Sequence, residues 1–296
     1  MAAWRSRSVG QIQTCVTKAI EYDSHCYTTK GPGMAYEPLE IPEQIQRMVA
    51  ALVATQPAGG GLCLIGGFRY RLLDRGKRRS VDIDYHWEGD LASKQRDLIA
   101  LFERRLLPDV GRQLGLQGTV ASARPAGHDS TSVATIDLAF WKLGSTLGRI
   151  EIPVDITRIE CVDPPTARTA DGIIYRTASD ADMLESKVIA ILGRTFLEHR
   201  DLLDLHLFAS HAAADAPRRI QRKLARLQVD GATIRRRLED LDRSAARHAK
   251  ALDAVIRDQL DPVPAATLAD AGGGMTVLAS VRRLLAEMLG PGGVTA

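Results

Sequence analysis

Three acidic residues define the chemistry open to this chain. In Ser80-Val81-Asp82-Ile83-Asp84-Tyr85 polar and apolar residues alternate, which predicts a strand with Ser80, Asp82 and Asp84 on one face and Val81, Ile83 and Tyr85 on the other. Asp155, in Ile152-Pro153-Val154-Asp155-Ile156-Thr157, falls on the polar face of another predicted strand together with Glu151. Carboxylates gathered in this way suit oxygen-seeking cations such as Mg2+. Two such ions about 3.5–4 Å apart can hold the attacking and leaving oxygens of an in-line displacement at phosphorus. An isolated D-x-D more often marks a solvated sheet face, so its surroundings have to decide. Asp137, in Thr135-Ile136-Asp137-Leu138, is a less favoured rival for the third carboxylate.

Upstream, the apolar run Leu62-Cys63-Leu64-Ile65 ends in Gly66-Gly67, which reads as a buried strand followed by a tight turn into a helix. Two glycines there would let backbone amides approach a phosphate, although such a turn is more often simple geometry. Downstream, Lys187 and Arg194 flank an amphipathic helix, and Asp201 and Asp204 stand three apart on the next one. These residues could form solvated ion pairs, or Lys187 could reach a triphosphate while Asp201 or Asp204 positions Lys187 or a substrate group. The seven histidines make no H-x-x-x-H or H-E-x-x-H spacing, and there is no G-x-S-x-G elbow or P-loop. His86, near the D-x-D, reads as an exposed strand-end residue.

In combination the segments are specific. Gly66-Gly67-Phe68-Arg69-Tyr70-Arg71-Leu72-Leu73, then Arg78-Arg79-Ser80-Val81-Asp82-Ile83-Asp84-Tyr85, then Lys187 to Arg194 and Arg200-Asp201-Leu202-Leu203-Asp204, resemble the AbiEii/AbiGii-type nucleotidyltransferase toxins. These are a branch of the polymerase-beta-like nucleotidyltransferase superfamily, and the resemblance spans about Leu64 to Leu207. It implies an α+β nucleotidyltransferase fold, a mixed β-sheet core with a helical C-terminal lobe. It also implies an enzyme that uses two Mg2+ ions and transfers a nucleoside monophosphate from a nucleoside triphosphate (NTP) to an acceptor, by expectation RNA at a transfer-RNA 3′ end. Such enzymes act as toxins of type IV toxin–antitoxin systems, so an antitoxin protein is an expected partner.

By the same resemblance Asp82, Asp84 and Asp155 are the metal ligands, and Lys187, Asp201 and Asp204 complete the catalytic set. Gly66, Gly67, Arg71, Arg78, Ser80, Lys187 and Arg194 would contact the nucleotide. One position departs from the pattern: Phe68 follows the diglycine where the family usually carries Ser or Thr, and Ser80 could supply the missing hydroxyl. Two rival readings follow, a transferase of the same fold acting on a small molecule or a protein, and a catalytically silent nucleotide-binding module.

The elements that must position these residues follow from hydrophobic spacing. Residues 1–40 hold turn formers and little periodicity and read as an N-terminal arm. From Ile41 the spacing of Ile45, Met48, Val49, Leu52 and Val53 predicts an amphipathic helix opening a nucleotidyltransferase core over 41–178. Within that core a helical stretch at about 91–115, broken near Pro108, precedes strands at Ser132 to Leu143 and Arg149 to Thr157. From Ser179, read as a helix cap, residues 179–296 form a helical C-terminal domain, with a Pro/Gly break between about Asp261 and Gly274 and a loose tail from Gly290.

The 296 residues carry a formal charge of only +3, but Arg218 to Arg257 contain twelve basic and five acidic side chains, a local +7. That segment, Arg235-Arg236-Arg237 included, reads either as an RNA-binding stripe or as a solvated helix face. Four scattered cysteines give no disulfide or zinc pattern, and no apolar run reaches the roughly 20 residues that span a bilayer. A cytoplasmic protein with no membrane partner is expected.

Overall fold

In the computed structural model, which describes residues 40–123, 133–144 and 148–290, the chain folds as a mixed β-sheet with a helical C-terminal half. The expected arm, the tail beyond Gly290 and the first residue of the Ser132 to Leu143 strand lie outside the described residues. Helix α1 (Ile41–Thr55) buries Ile45, Val49 and Val53, four apart on one stripe, against the sheet. Strand β1 (Cys63–Ile65) is buried throughout and runs directly into α2 (Gly66–Leu73). Strand β2 (Ile83–His86) is shorter than the alternation predicts. Ladder pairing begins only at Ile83, so Val81 escapes the expected buried face and is 56% exposed.

Helix α3 (Leu91–Leu101) continues through a π-helical turn at Phe102–Leu106 into α4 (Leu107–Leu114). The cause is Pro108, which cannot donate to a carbonyl one turn back and crowds it, so the preceding turn widens. Strands β3 (Gln117–Ala123), β4 (Val133–Trp141) and β5 (Ile150–Thr157) follow, then the hairpin β6 (Thr166–Ala170) and β7 (Ile173–Thr177). Asp171 and Gly172 both take positive φ between the hairpin strands, the backbone that a tight two-residue turn demands.

The sheet order is β3-β4-β5-β2-β1-β7-β6. β2 lies between β5, parallel to it, and β1, antiparallel to it. Asp84 thereby pairs in register with Asp155 on one side and Ile65 on the other.

The helical half begins with α5 (Asp180–Gly193), whose first turn is capped by the Ser179 hydroxyl accepting from the Asp182 amide at 3.0 Å. Then come α6 (His199–Leu207), α7 (Ala216–Arg226), α8 (Gly231–Arg243), α9 (Ala245–Gln259), α10 (Pro262–Asp270) and α11 (Gly273–Leu289). The expected Pro/Gly break is mostly helix α10. Pro262 stands in its first turn, where a missing N–H leaves no bond unmade. Leu184, Val188, Ile191, Leu202, Leu252, Val281 and Leu285 are among the side chains that make the core of this half, and Ile65, Tyr70 and Ala178 of the sheet half join it. No described helix is long and apolar enough to cross a membrane.

Candidate active site

Gly66 and Gly67 are fixed by what surrounds them. Gly66 takes φ +74°, and a Cβ there would land on the Asp84 carboxylate. A Cβ at Gly67 would strike the Arg78 guanidinium and come within 2.8 Å of the Ser80 hydroxyl. The diglycine turn thus lies directly against Asp84, Ser80 and Arg78. Phe68, in contrast, is wholly buried in the sheet-half core, so its side chain belongs to packing.

Asp84 and Asp155 occupy matched positions on adjacent parallel strands, which places both on one face of the sheet. Asp155 is oriented by the Thr135 hydroxyl of β4, which donates to Oδ1 at 2.6 Å. Burial, then the negative charge of Asp82, pushes Asp84 up to about 8, with Asp155 adding to the rise and Lys187 opposing it. Asp82 behaves oppositely. Burial disfavours its charge, but Arg200, the Ser80 hydroxyl, Lys187 and Arg78 outweigh that and hold it below the ordinary carboxylate range. Ser80 donates to Asp82 Oδ1 at 2.8 Å and Arg200 Nη1 to Oδ2 at 2.9 Å. Asp137 is exposed and pairs with Pro153, two positions from the Thr135–Asp155 pair.

Lys187 stands between two buried carboxylates, its Nζ 2.7 Å from Asp201 Oδ1 and 3.0 Å from Asp204 Oδ2. Burial would lower its pKa, but Asp201 and Asp204 raise it above the ordinary lysine value, so it stays charged. Asp204 also takes both Arg78 Nε, at 2.5 Å, and Nη2, at 2.9 Å, while Asp201 takes Arg194 Nη1 at 2.9 Å. One ionic network therefore links the diglycine turn, through Arg78, to α5 and α6.

Arg71 is engaged elsewhere. Its guanidinium clasps Glu43 at 2.9–3.0 Å and Asp261 at 2.7 Å, tying α2 to α1 and to the start of α10. His86 is buried rather than exposed, its Nδ1 accepting from the Ile159 amide at 3.0 Å.

The basic segment is not a continuous stripe. Arg219 and Lys223 are buried against Asp163, Asp182 and Glu185, acidic groups from outside the segment that the local charge count omits. Arg226 pairs with Glu160. Arg235 and Arg236 are exposed on α8, whereas Arg237 turns inward and donates to the Arg194 and Thr195 carbonyls at the end of α5.

Two participants escaped the sequence reading. Arg200 was visible as the first letter of R-D-x-x-D, but nothing local pairs it with Asp82, which is 118 positions away. Thr135 becomes a partner of Asp155 only through strand register. Among the described residues no three His, Cys, Asp or Glu side chains are already arranged as a cage for a metal ion. The donor set still fits Mg2+ in kind: three carboxylates, two of them side by side, with Gly66 lacking the Cβ that would displace the Asp84 carboxylate. Asp82, drawn to Arg200, would have to turn to join them.

A family model described as nucleotidyl transferase AbiEii toxin, type IV TA system, matches residues 48–274. No curated protein matches the sequence. Solved structures with a similar chain path include JHP933 from Helicobacter pylori, at 14% identity and TM-score 0.49, covering 84% of this chain and 90% of that one. Another is MenT4, a nucleotidyltransferase toxin from Mycobacterium tuberculosis H37Rv, at 16% identity and TM-score 0.49, covering 83% and 82%. With the family match spanning most of its length, this chain belongs to the AbiEii nucleotidyltransferase toxins of type IV toxin–antitoxin systems.

Proposed function

We propose that the chain transfers a nucleoside monophosphate from an NTP to the 3′ end of an RNA, a transfer RNA in the first instance, and is restrained by an antitoxin protein. The observation that carries this reading is the registered pair Asp84 and Asp155 beneath the Gly66-Gly67 turn, with Ser80 and Asp82 alongside. Two Mg2+ ions, held by Asp82, Asp84 and Asp155, would supply charge neutralisation for the triphosphate and polarise the acceptor hydroxyl.

The chain's own groups do the rest. Backbone amides at the start of α2 meet the phosphates where no side chain intrudes and where Phe68 offers no hydroxyl, the one Ser80 proton being donated to Asp82. Lys187, kept cationic by Asp201 and Asp204, faces the charge that develops as the α–β phosphate bond breaks and pyrophosphate leaves. Thr135 fixes the Asp155 carboxylate and Ser80 holds one oxygen of Asp82 before substrate arrives, while the other Asp82 oxygen would leave Arg200 for the metal.

The test uses transfer RNA with an intact 3′ terminus beside the same RNA whose terminal diol has been oxidised with periodate. Labelled NTP and Mg2+ should label only the intact RNA. Equal labelling of both would place the modification away from the 3′ end and overturn that part of the reading.

A further inference from the structure

The loop between α5 and α6 carries Phe196, which is 80% exposed, the most exposed large apolar side chain among the described residues. Single exposed apolar residues are common on protein surfaces, so exposure by itself decides nothing. Here the position adds meaning. Four residues on, Arg200 touches Asp82 at 2.9 Å; four residues of extended chain reach at most about 14 Å, so the Phe196 backbone lies within that distance of the Arg200 backbone.

The loop is also held in place. Arg194 at its start is bonded to Asp201, and Arg237 of α8 donates to the Arg194 and Thr195 carbonyls. That clamp seats the middle of α8 beside the loop at Arg237, next to the exposed Arg236. An aromatic ring open to solvent, on a loop that begins at Arg194, leads to Arg200 and is held by Arg237, has the composition of a stacking platform for an unpaired base, with cations nearby for its phosphates.

We infer that Phe196, on a loop clamped by Arg237, receives an unpaired nucleotide near the acceptor's 3′ end by stacking, with the exposed Arg236 of α8 meeting an adjoining phosphate. This rests on the reading of RNA as acceptor and adds a residue that selects single-stranded ends. Stacking accepts any base, so the platform would discriminate paired from unpaired ends and not sequence. A protein partner would use the same ring differently: an apolar contact is served nearly as well by leucine as by phenylalanine.

The experiment compares the parent with F196A, F196L and F196W. The probes are a fluorescein-labelled single-stranded RNA 12-mer and a blunt-ended RNA hairpin of the same composition, each binding measured by anisotropy. Mg2+–NTP affinity serves as the internal control. F196A and F196L should each weaken single-strand binding about tenfold, F196W should hold it, and hairpin and NTP affinity should stay within about twofold. Single-strand affinity unchanged in F196A, with the parent still extending RNA, would overturn the platform while leaving the RNA acceptor intact. F196L matching the parent would also overturn it, by showing an apolar contact rather than stacking. If the parent binds neither RNA yet labels another acceptor, the RNA reading itself fails and the platform with it.

Discussion

At the scale of single residues, the three acidic positions have different physics although the sequence presents them alike. Asp84→Asn and Asp155→Asn should each reduce transfer by at least about a hundredfold in a saturating-NTP assay, since each removes an oxygen ligand from the charge-neutralising set. Repulsion among three metal-free carboxylates suggests that neutralising any of them leaves stability unchanged or raised. The structure divides that expectation. Asp84 is held up at about 8, so the folded, metal-free protein keeps a proton there that the unfolded chain releases near pH 4. The Asp84 contribution to stability is therefore full below about pH 4 and is lost as pH rises toward about 8. Urea melts in chelator should show the parent losing up to a few kcal/mol over that window and Asp84→Asn losing much less.

Asp82 is held low by burial's loss to Arg200, Ser80, Lys187 and Arg78, so its contribution is present above the ordinary carboxylate value and vanishes as pH falls through the lowered one. Asp82→Asn should cost about 1–3 kcal/mol at neutral pH, read from the same melts. Under the proposed metal site, Arg200, 2.9 Å from Asp82, would compete with the ion for that carboxylate. Arg200→Gln should tighten Mn2+ binding in the absence of nucleotide by about tenfold while weakening NTP binding, both measured by calorimetry. Metal affinity lowered in step with NTP affinity would show that Arg200 supports the cluster rather than opposing it.

At the scale of elements, the legible parts were those in which local pattern and tertiary role coincide. Helix α1, strand β1, the turn at Gly66 and the Ser179 cap follow from periodicity, glycine and capping chemistry alone. Strand β3 did not, because its edge position leaves it half-solvated with few apolar residues to alternate. The β6–β7 hairpin carried a readable Asp171-Gly172 signal that went unread between two short strands of mixed polarity.

Lys187 shows the same limit. The helix stripe excludes it, which suggests a lysine dispensable for folding, but α6 supplies two buried carboxylates to pair with it. Lys187→Ala should therefore abolish NTP binding and also destabilise the protein by about 1–3 kcal/mol, below the usual cost of breaking a buried pair because Arg78 and Arg194 still serve Asp204 and Asp201. Thermal melts and NTP titrations on one preparation separate the two effects. Normal NTP binding in a destabilised variant would reduce Lys187 to a structural ion.

At the scale of the whole molecule, charge counted along the sequence misjudges charge presented in space. The +7 of residues 218–257 falls once Arg219 and Lys223 are spent on Asp163, Asp182 and Glu185, which lie elsewhere in the chain, so no count over a window could reveal it. The exposed basic side chains that remain include Arg218, Arg222 and Lys250 as well as the neighbours Arg235 and Arg236 on α8. Replacing both with Gln should flatten the salt dependence of RNA binding by up to about 0.7 slope units per lost single-strand contact, with NTP affinity unchanged. Under the proposed function, metal-dependent transfer from an NTP to RNA runs through the carboxylates around the Gly66-Gly67 turn. The most direct measurement incubates the protein with each α-labelled NTP in turn, Mg2+ and total RNA, beside Asp84→Asn and a chelator control. The result predicted is label in RNA from at least one NTP, lost in both controls. Label found in protein or in a small molecule, or label in RNA that survives Asp84→Asn, would contradict it.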